Sequence, residues 1–202
     1  MRVIAWRGAH PHPENSLAAV EAAAAQGAWL SEVDVRLSRD SVPVLVHSPR
    51  VWPSGPLTHE RSARWLKRHG VTLLEEVLAY PLLVHLKREA EPRRLALALA
   101  RLGYAGLAHS NSWLHLQLLE ERQRLRSVYA PLERVEPGLA GYMLGHRAGW
   151  GVSALGWAAT VAAAGLHAVV FAGNTADWLS EVQAQPGVTA LLTRRLDRAG
   201  LS

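Results

Sequence analysis

SEVDVRLSRDSVPVLVHS, residues 31–48, holds two short β-type runs, Ser31–Leu37 and Pro43–His47, joined by a link (38–42) too short for a helix. Within the first run Glu32 and Asp34 are two residues apart, a spacing that puts both carboxylates on one face of a strand. The second run ends in a histidine. Upstream, Val3–Trp6 reads as another strand and Ser16–Gln26 as a helix, with Asn15 or Ser16 placed to cap it and Gly27 to end it.

The alternation continues downstream. Strands are expected at Leu82–Lys87, Ala105–His109, Arg126–Tyr129, His167–Phe171 and Thr189–Leu192, with Ala140–Leu144 as a ninth candidate. Helices are expected at Leu73–Ala79 (with Thr72 and Glu75 as a capping box), Pro92–Arg101, Trp113–Arg124, Ser153–Ala164 and Ala176–Gln185, the last capped by Asn174 or Thr175. Strands alternating with helices predict a parallel sheet covered by helices, and about eight strands predict an α/β fold, a (β/α)8 TIM barrel. At 202 residues that barrel is a compact single domain spanning 1–202, with some helices short or missing. Val51–Gly70, rich in Pro, Gly and Arg, reads as an insertion over the top. The glycines 141, 145, 149 and 151 suit a loop, a strand or a dimer contact alike.

Composition narrows the chemistry. There is no cysteine, which excludes disulfides, thiolate metal ligands and a cysteine nucleophile. No uninterrupted apolar stretch approaches about 18 residues, and the N-terminus lacks a signal-peptide pattern, so a cytoplasmic protein without a membrane span is expected. The formal charge is +5, and of 22 basic residues only Lys67 and Lys87 are lysine. Arginine suits phosphate, but a GC-rich coding bias is the favoured account of the count. The basic residues are interleaved with Glu instead of forming a stripe, so no specific nucleic-acid partner is expected.

Functional residues of a barrel lie at the carboxyl ends of its strands. Those positions hold Trp6-Arg7-Gly8, Glu32 and Asp34, His47, His85 and Lys87, His109-Ser110, Phe171 and Thr193-Arg194. Glu32 and Asp34 sharing an interior face suit a divalent cation, but on spacing alone the favoured reading is an internal salt bridge of one of them to Arg7 or Lys87. His85 is a candidate third ligand or a hydrogen-bonded core residue. Lys87 is a phosphate ligand or a counter-ion, and His47 a candidate acid or base. His10 and His12 lie in the first loop, within reach of the site or simply solvated.

Trp6-Arg7-Gly8, PENS (13–16), Glu32-Val-Asp-Val35 and RDSVPVLVHS (39–48) resemble, in order and spacing, motifs of the glycerophosphodiester phosphodiesterase family. LLEEVL (73–78), LLVHLK (82–87) and GVTALLTRR (187–195) extend the resemblance along the chain. It implies metal-assisted hydrolysis of a small-molecule glycerophosphodiester to glycerol 3-phosphate and an alcohol. It further implies Glu32, Asp34 and residue 85 as metal ligands, His47 as acid or base, and Arg7 and Lys87 as neutralisers of the phosphate. Trp6, Phe171 and Arg194 are then expected against the substrate.

The departures lie in the same site. Trp6 stands where the family has its first catalytic His, His85 where it has a third carboxylate, Ser48 in place of the Asp after the second His, Phe171-Ala172-Gly173-Asn174 in place of Trp-Thr-Val-Asn, and Arg194 in place of an Asp. Trp cannot carry a proton near neutral pH. A family metal would be Mg or Ca, whereas His85 softens the set toward Mn or Zn. The alternative is a degenerate relative that binds a phosphorylated ligand without turnover.

Overall fold

A computed structural model describes residues 1–87, 91–147, 152–171 and 176–200. Eight parallel strands close into a barrel: β1 (Arg2–Trp6), β2 (Leu30–Leu37), β4 (Leu82–Leu86), β5 (Leu107–Ser110), β6 (Arg124–Val128), β7 (Gly141–Arg147), β9 (His167–Phe171) and β10 (Ala190–Thr193). Closure is made by β1, which pairs in parallel with both β2 and β10.

Two short strands stand outside this ring. β3 (Pro43–Leu45) runs antiparallel to β2, and β8 (Val152–Ser153) antiparallel to β7. The Pro43–His47 run is therefore a hairpin arm, and the eighth stave is instead the glycine-containing β7. The five-residue link at 38–42 explains why. It is long enough for a hairpin but too short for the crossover that a parallel neighbour requires.

The helices are few and short: α1 (Leu17–Ala25), α2 (Ala63–Arg68), α3 (Pro92–Arg101), α4 (Trp113–Leu116), α5 (Ala158–Ala163) and α6 (Ala176–Ala184). Ser16 caps α1 by accepting from the Ala19 N–H at 3.1 Å, and Gly27 (φ +78°) turns the chain out of it. The expected Leu73–Ala79 helix is a 3-10 turn over Leu74–Val77, and its capping acid is Glu76, which accepts from the Leu73 N–H. Trp113–Arg124 resolves into α4 and a 3-10 turn at Glu121–Gln123. The Asn174/Thr175 cap lies outside the described residues. Residues 51–70 form turns and α2, which packs Ala63 and Leu66 against Val44 and Val46 beside β3.

Period-2 alternation divides the barrel strands. Val33, Val35, Val84, Leu86 and Ala108 face outward into a core shared with Val20, Leu95 and Leu99. Inward, Ile4, Leu83, Leu125, Met143, Val169 and Leu192 fill the barrel floor. One step further, β4 and β6 turn polar with His85 and Ser127, whereas β1 and β9 present Trp6 and Phe171.

Candidate active site

That upper layer is set by register. Asp34 lies opposite His85 across β2 and β4, His85 opposite His109 across β4 and β5, and Glu32 opposite Trp6 across β2 and β1. A chamber of about 210 Å³ opens there, lined among others by Trp6, Arg7, Glu32, His47, His85, Lys87, His109, Ser127 and Phe171. It lies at the carboxyl end of the strands, where barrel sites are built.

The turn after β1 is specialised. Arg7 adopts φ +57° and Gly8 φ +82°. A Cβ on Gly8 would sit 2.5 Å from that of Ala19, so only glycine lets this turn lie on α1. The turn aims the Arg7 backbone N–H at Glu32 Oε2 (3.2 Å), while the guanidinium Nε reaches Asp34 Oδ2 (2.8 Å). Asn15, at φ +58°, donates from Nδ2 to the same Asp34 oxygen (3.0 Å) and accepts from the Asp34 N–H (2.8 Å).

The two carboxylates consequently differ. Both oxygens of Asp34 are taken, Oδ2 by Arg7 and Asn15 and Oδ1 by Lys87 Nζ (2.8 Å) and His85 Nδ1 (3.0 Å). Glu32 Oε1 instead faces His109 Nε2 at 3.4 Å and His85 Nδ1 at 3.5 Å. The two imidazoles stack with centroids 4.1 Å apart, and His109 Nδ1 lies 3.0 Å from Ser127 Oγ.

Burial opposes ionisation of Asp34, but the His85 hydrogen bond and the charges of Lys87 and Arg7 hold it well below the usual carboxylate range. Burial and the neighbouring Asp34 charge also oppose ionisation of Glu32, yet hydrogen bonds from His109 and His85 keep it below its ordinary value. Burial disfavours a charged His85, and the two carboxylates overcome that and raise it. Burial, then the His85 charge, push His109 down to about 4. His47, at the chamber's rim, is lowered by partial burial and then by Lys87.

Glu32, Asp34, His85, Lys87, Arg7, Trp6, His47 and Phe171 converge on one mouth. Trp6 meets Phe171 edge-on at 4.6 Å and carries the Arg7 guanidinium 4.4 Å above its ring. Arg194 stands outside the chamber lining, bound to Glu14 Oε1 (2.7 Å) and the His12 carbonyl (3.0 Å). Neither His10 nor His12 lines the chamber. The Ala172-Gly173-Asn174 stretch lies outside the described residues.

Sequence reasoning passed over His109, noticed only as a strand end, Ser127 and the contact of Asn15 with Asp34. The register of β4 with β5 was the missing signal. Among the described residues, Glu32, His85 and His109 form a group whose donor atoms all lie within 4.8 Å of one another. A divalent metal fits this donor set, because one carboxylate and two imidazoles converge and His109 has its second nitrogen held by a hydroxyl.

These features make a chamber at the barrel mouth that combines phosphate-compatible cations with a metal-capable acid–imidazole group. The model of the glycerophosphoryl diester phosphodiesterase family matches residues 7–94, which run from the Arg7 turn into α3. That match covers 88 of the 202 residues, and over this stretch the chain is similar to the family. No protein of curated function matches the sequence.

Solved structures share the fold over almost the whole chain. A phosphodiesterase from Oleispira antarctica, in complex with the product sn-glycerol-3-phosphate, is 20% identical with a TM-score of 0.82, covering 99% of this chain and 95% of its own. A glycerophosphodiester phosphodiesterase from Parabacteroides distasonis is 21% identical with a TM-score of 0.79, covering 98% and 94%. One from Thermotoga maritima is 17% identical with a TM-score of 0.74, covering 96% and 95%. No helix among the described residues is long and apolar enough to cross a membrane.

Proposed function

We propose that the protein hydrolyses glycerophosphodiesters to glycerol 3-phosphate and an alcohol. The observation that carries this reading is the grouping of Glu32, His85, His109, Arg7 and Lys87 around one chamber at the strands' carboxyl ends. The product bound in the Oleispira antarctica phosphodiesterase supports glycerol 3-phosphate as the phosphate-bearing half.

Arg7 and Lys87 border the chamber while their charges rest on Asp34. A phosphodiester carries one negative charge, which this pair attracts and orients at little cost in reorganisation. His47 stands on the rim. With its pKa lowered it is neutral at pH 7 and serves as proton acceptor. Its carbonyl accepts from Arg36 Nη2 at 2.7 Å, which fixes the backbone that presents the ring. Trp6 and Phe171 form an apolar wall that excludes water. A divalent metal bound at Glu32 and His85 would supply Lewis-acid polarisation of the phosphate and a lowered pKa for bound water.

The test is release of glycerol 3-phosphate from a panel of glycerophosphodiesters with Mg, Ca, Mn or Zn, alongside Glu32→Ala. Metal-dependent product that disappears in Glu32→Ala is the expected result. A specific observation, Trp6 in place of a second proton carrier, favours the other reading of a phosphate-ligand binder without turnover. Folded protein that binds glycerol 3-phosphate yet releases none from any diester with any metal would establish that reading instead.

A further inference from the structure

The family resemblance places Asp34 among the metal ligands, and the contacts around it argue otherwise. Each Asp34 oxygen already serves two partners, and two of the four are cations, Arg7 and Lys87 at 2.8 Å. Arg7 has a second partner in Glu14 (2.7 Å), but freeing Oδ1 for a metal would take from the buried Lys87 its carboxylate and set it beside a second positive charge, a costly arrangement. Asp34 is fully buried and cannot turn toward water to share its load.

Glu32 stands in a different environment. Its Oε1 faces His109 Nε2 at 3.4 Å and His85 Nδ1 at 3.5 Å. That His85 nitrogen also lies 3.0 Å from Asp34 Oδ1, a contact it gives up, with its proton, on ligating a metal, while Asp34 keeps Arg7, Asn15 and Lys87. The two Glu32 separations are long for charge-assisted hydrogen bonds, which run at about 2.7–2.9 Å. They equal the spacing of two donors on one tetrahedral ion, roughly 3.3–3.5 Å for metal–ligand bonds of about 2.0–2.1 Å. His109 is oriented for the task, since Ser127 Oγ holds Nδ1 and leaves Nε2 turned toward Glu32. Lys87 Nζ, 3.3 Å from His85 Nδ1, has Asp34 as its closer partner.

We propose that Glu32, His85 and His109 are the three metal ligands, with Asp34 serving as counter-ion to Arg7 and Lys87, and that the site therefore selects a borderline transition ion of the zinc type over Mg or Ca. Two imidazoles supply nitrogen donors, which zinc and its neighbours prefer and which Mg and Ca accept poorly. A single carboxylate also leaves too little negative charge to strip a hard ion of its water next to two protein cations.

The inference rests on the proposed phosphodiesterase reading for its setting, but binding alone tests it. Metal-free protein is titrated calorimetrically with zinc, manganese, magnesium and calcium chlorides. One equivalent of zinc is expected to bind at least 100-fold more tightly than magnesium or calcium, and His109→Gln to lose at least 100-fold in zinc affinity. X-ray absorption of the one-equivalent zinc complex, on His47→Gln protein so that the rim imidazole is absent, is expected to show two imidazoles. This readout stands even if His109→Gln fails to fold. One imidazole in the zinc shell, or magnesium binding as tightly as zinc, would overturn the proposal. Tight zinc binding through two imidazoles without diester hydrolysis would sink the phosphodiesterase reading and leave this assignment in place.

Discussion

Asn15 and Asp34 bond each other twice: Nδ2 of Asn15 donates to Oδ2 at 3.0 Å, and the Asp34 backbone N–H donates to Oδ1 of Asn15 at 2.8 Å. The pair ties the loop after β1 to the middle of β2 and holds the Asp34 carboxylate where Arg7 and Lys87 reach it. Asn15→Ala removes both bonds, leaves a buried N–H without that partner and puts Ala at φ +58°, a conformation Asn tolerates better. A loss of about 2–4 kcal/mol in urea unfolding is expected. A loss below about 0.5 kcal/mol would show that the loop is held by other contacts.

Removing the other member of that network acts through charge. Asp34→Leu leaves Lys87 without its carboxylate and Arg7 with Glu14 alone. Breaking one side of a buried ion cluster costs about 3–5 kcal/mol. The variant is expected to unfold at markedly lower urea. Double substitution with Lys87→Met should recover part of the loss, and strict additivity of the two changes would refute a shared network.

Much of this site was legible from spacing. Period-2 alternation places Glu32, Asp34, His85 and Lys87 on inward faces whatever the barrel's exact register. Two features were not legible. The Pro43–His47 run has the composition of a stave, and its antiparallel pairing with β2 is foreshadowed only by the short link at 38–42. β7 begins at Gly141, where a Cβ would come within 2.2 Å of the His167 carbonyl oxygen. The close strand contact that demands glycine there also strips the segment of its β-branched signature. His109 escaped for a related reason, since a single histidine at a strand end declares neither its face nor its neighbour until β4 and β5 are in register.

Acid stability has an identifiable contributor away from the site. Asp40 Oδ1 accepts from Ser38 Oγ at 2.7 Å and from the Ala63 N–H at the start of α2 at 2.8 Å. Slight burial opposes ionisation, but those two bonds lower its pKa. A carboxyl depressed on folding contributes stability that is present above its unfolded value of about 3.9 and lost as pH falls through the folded value. Asp40→Asn is therefore expected to flatten the acid limb of the stability profile below about pH 4. An unchanged slope in urea melts taken from pH 6 down to 2.5 would show that the carboxylate makes no such contribution.

Trp6 supplies the most informative substitution. Its ring packs edge-on against Phe171, with Arg7 over its face, at the rim that His47 shares. The family resemblance puts an imidazole at this position, so the proposed hydrolysis would proceed with one fewer proton carrier at the mouth. General acid–base groups each contribute typically 10²–10⁴-fold. If proton transfer limits turnover, Trp6→His should raise kcat by roughly ten-fold or more, below the full factor because the new ring lacks tuned neighbours. It should also lower stability by about 1–3 kcal/mol through lost packing against Phe171. The pH profile separates the two effects, because a second imidazole adds a second titrating limb near neutrality whereas a packing defect scales the whole curve. A variant that folds, binds metal like the parent and shows neither faster turnover nor a new limb would mean that Trp6 is not occupying the place of a missing acid or base.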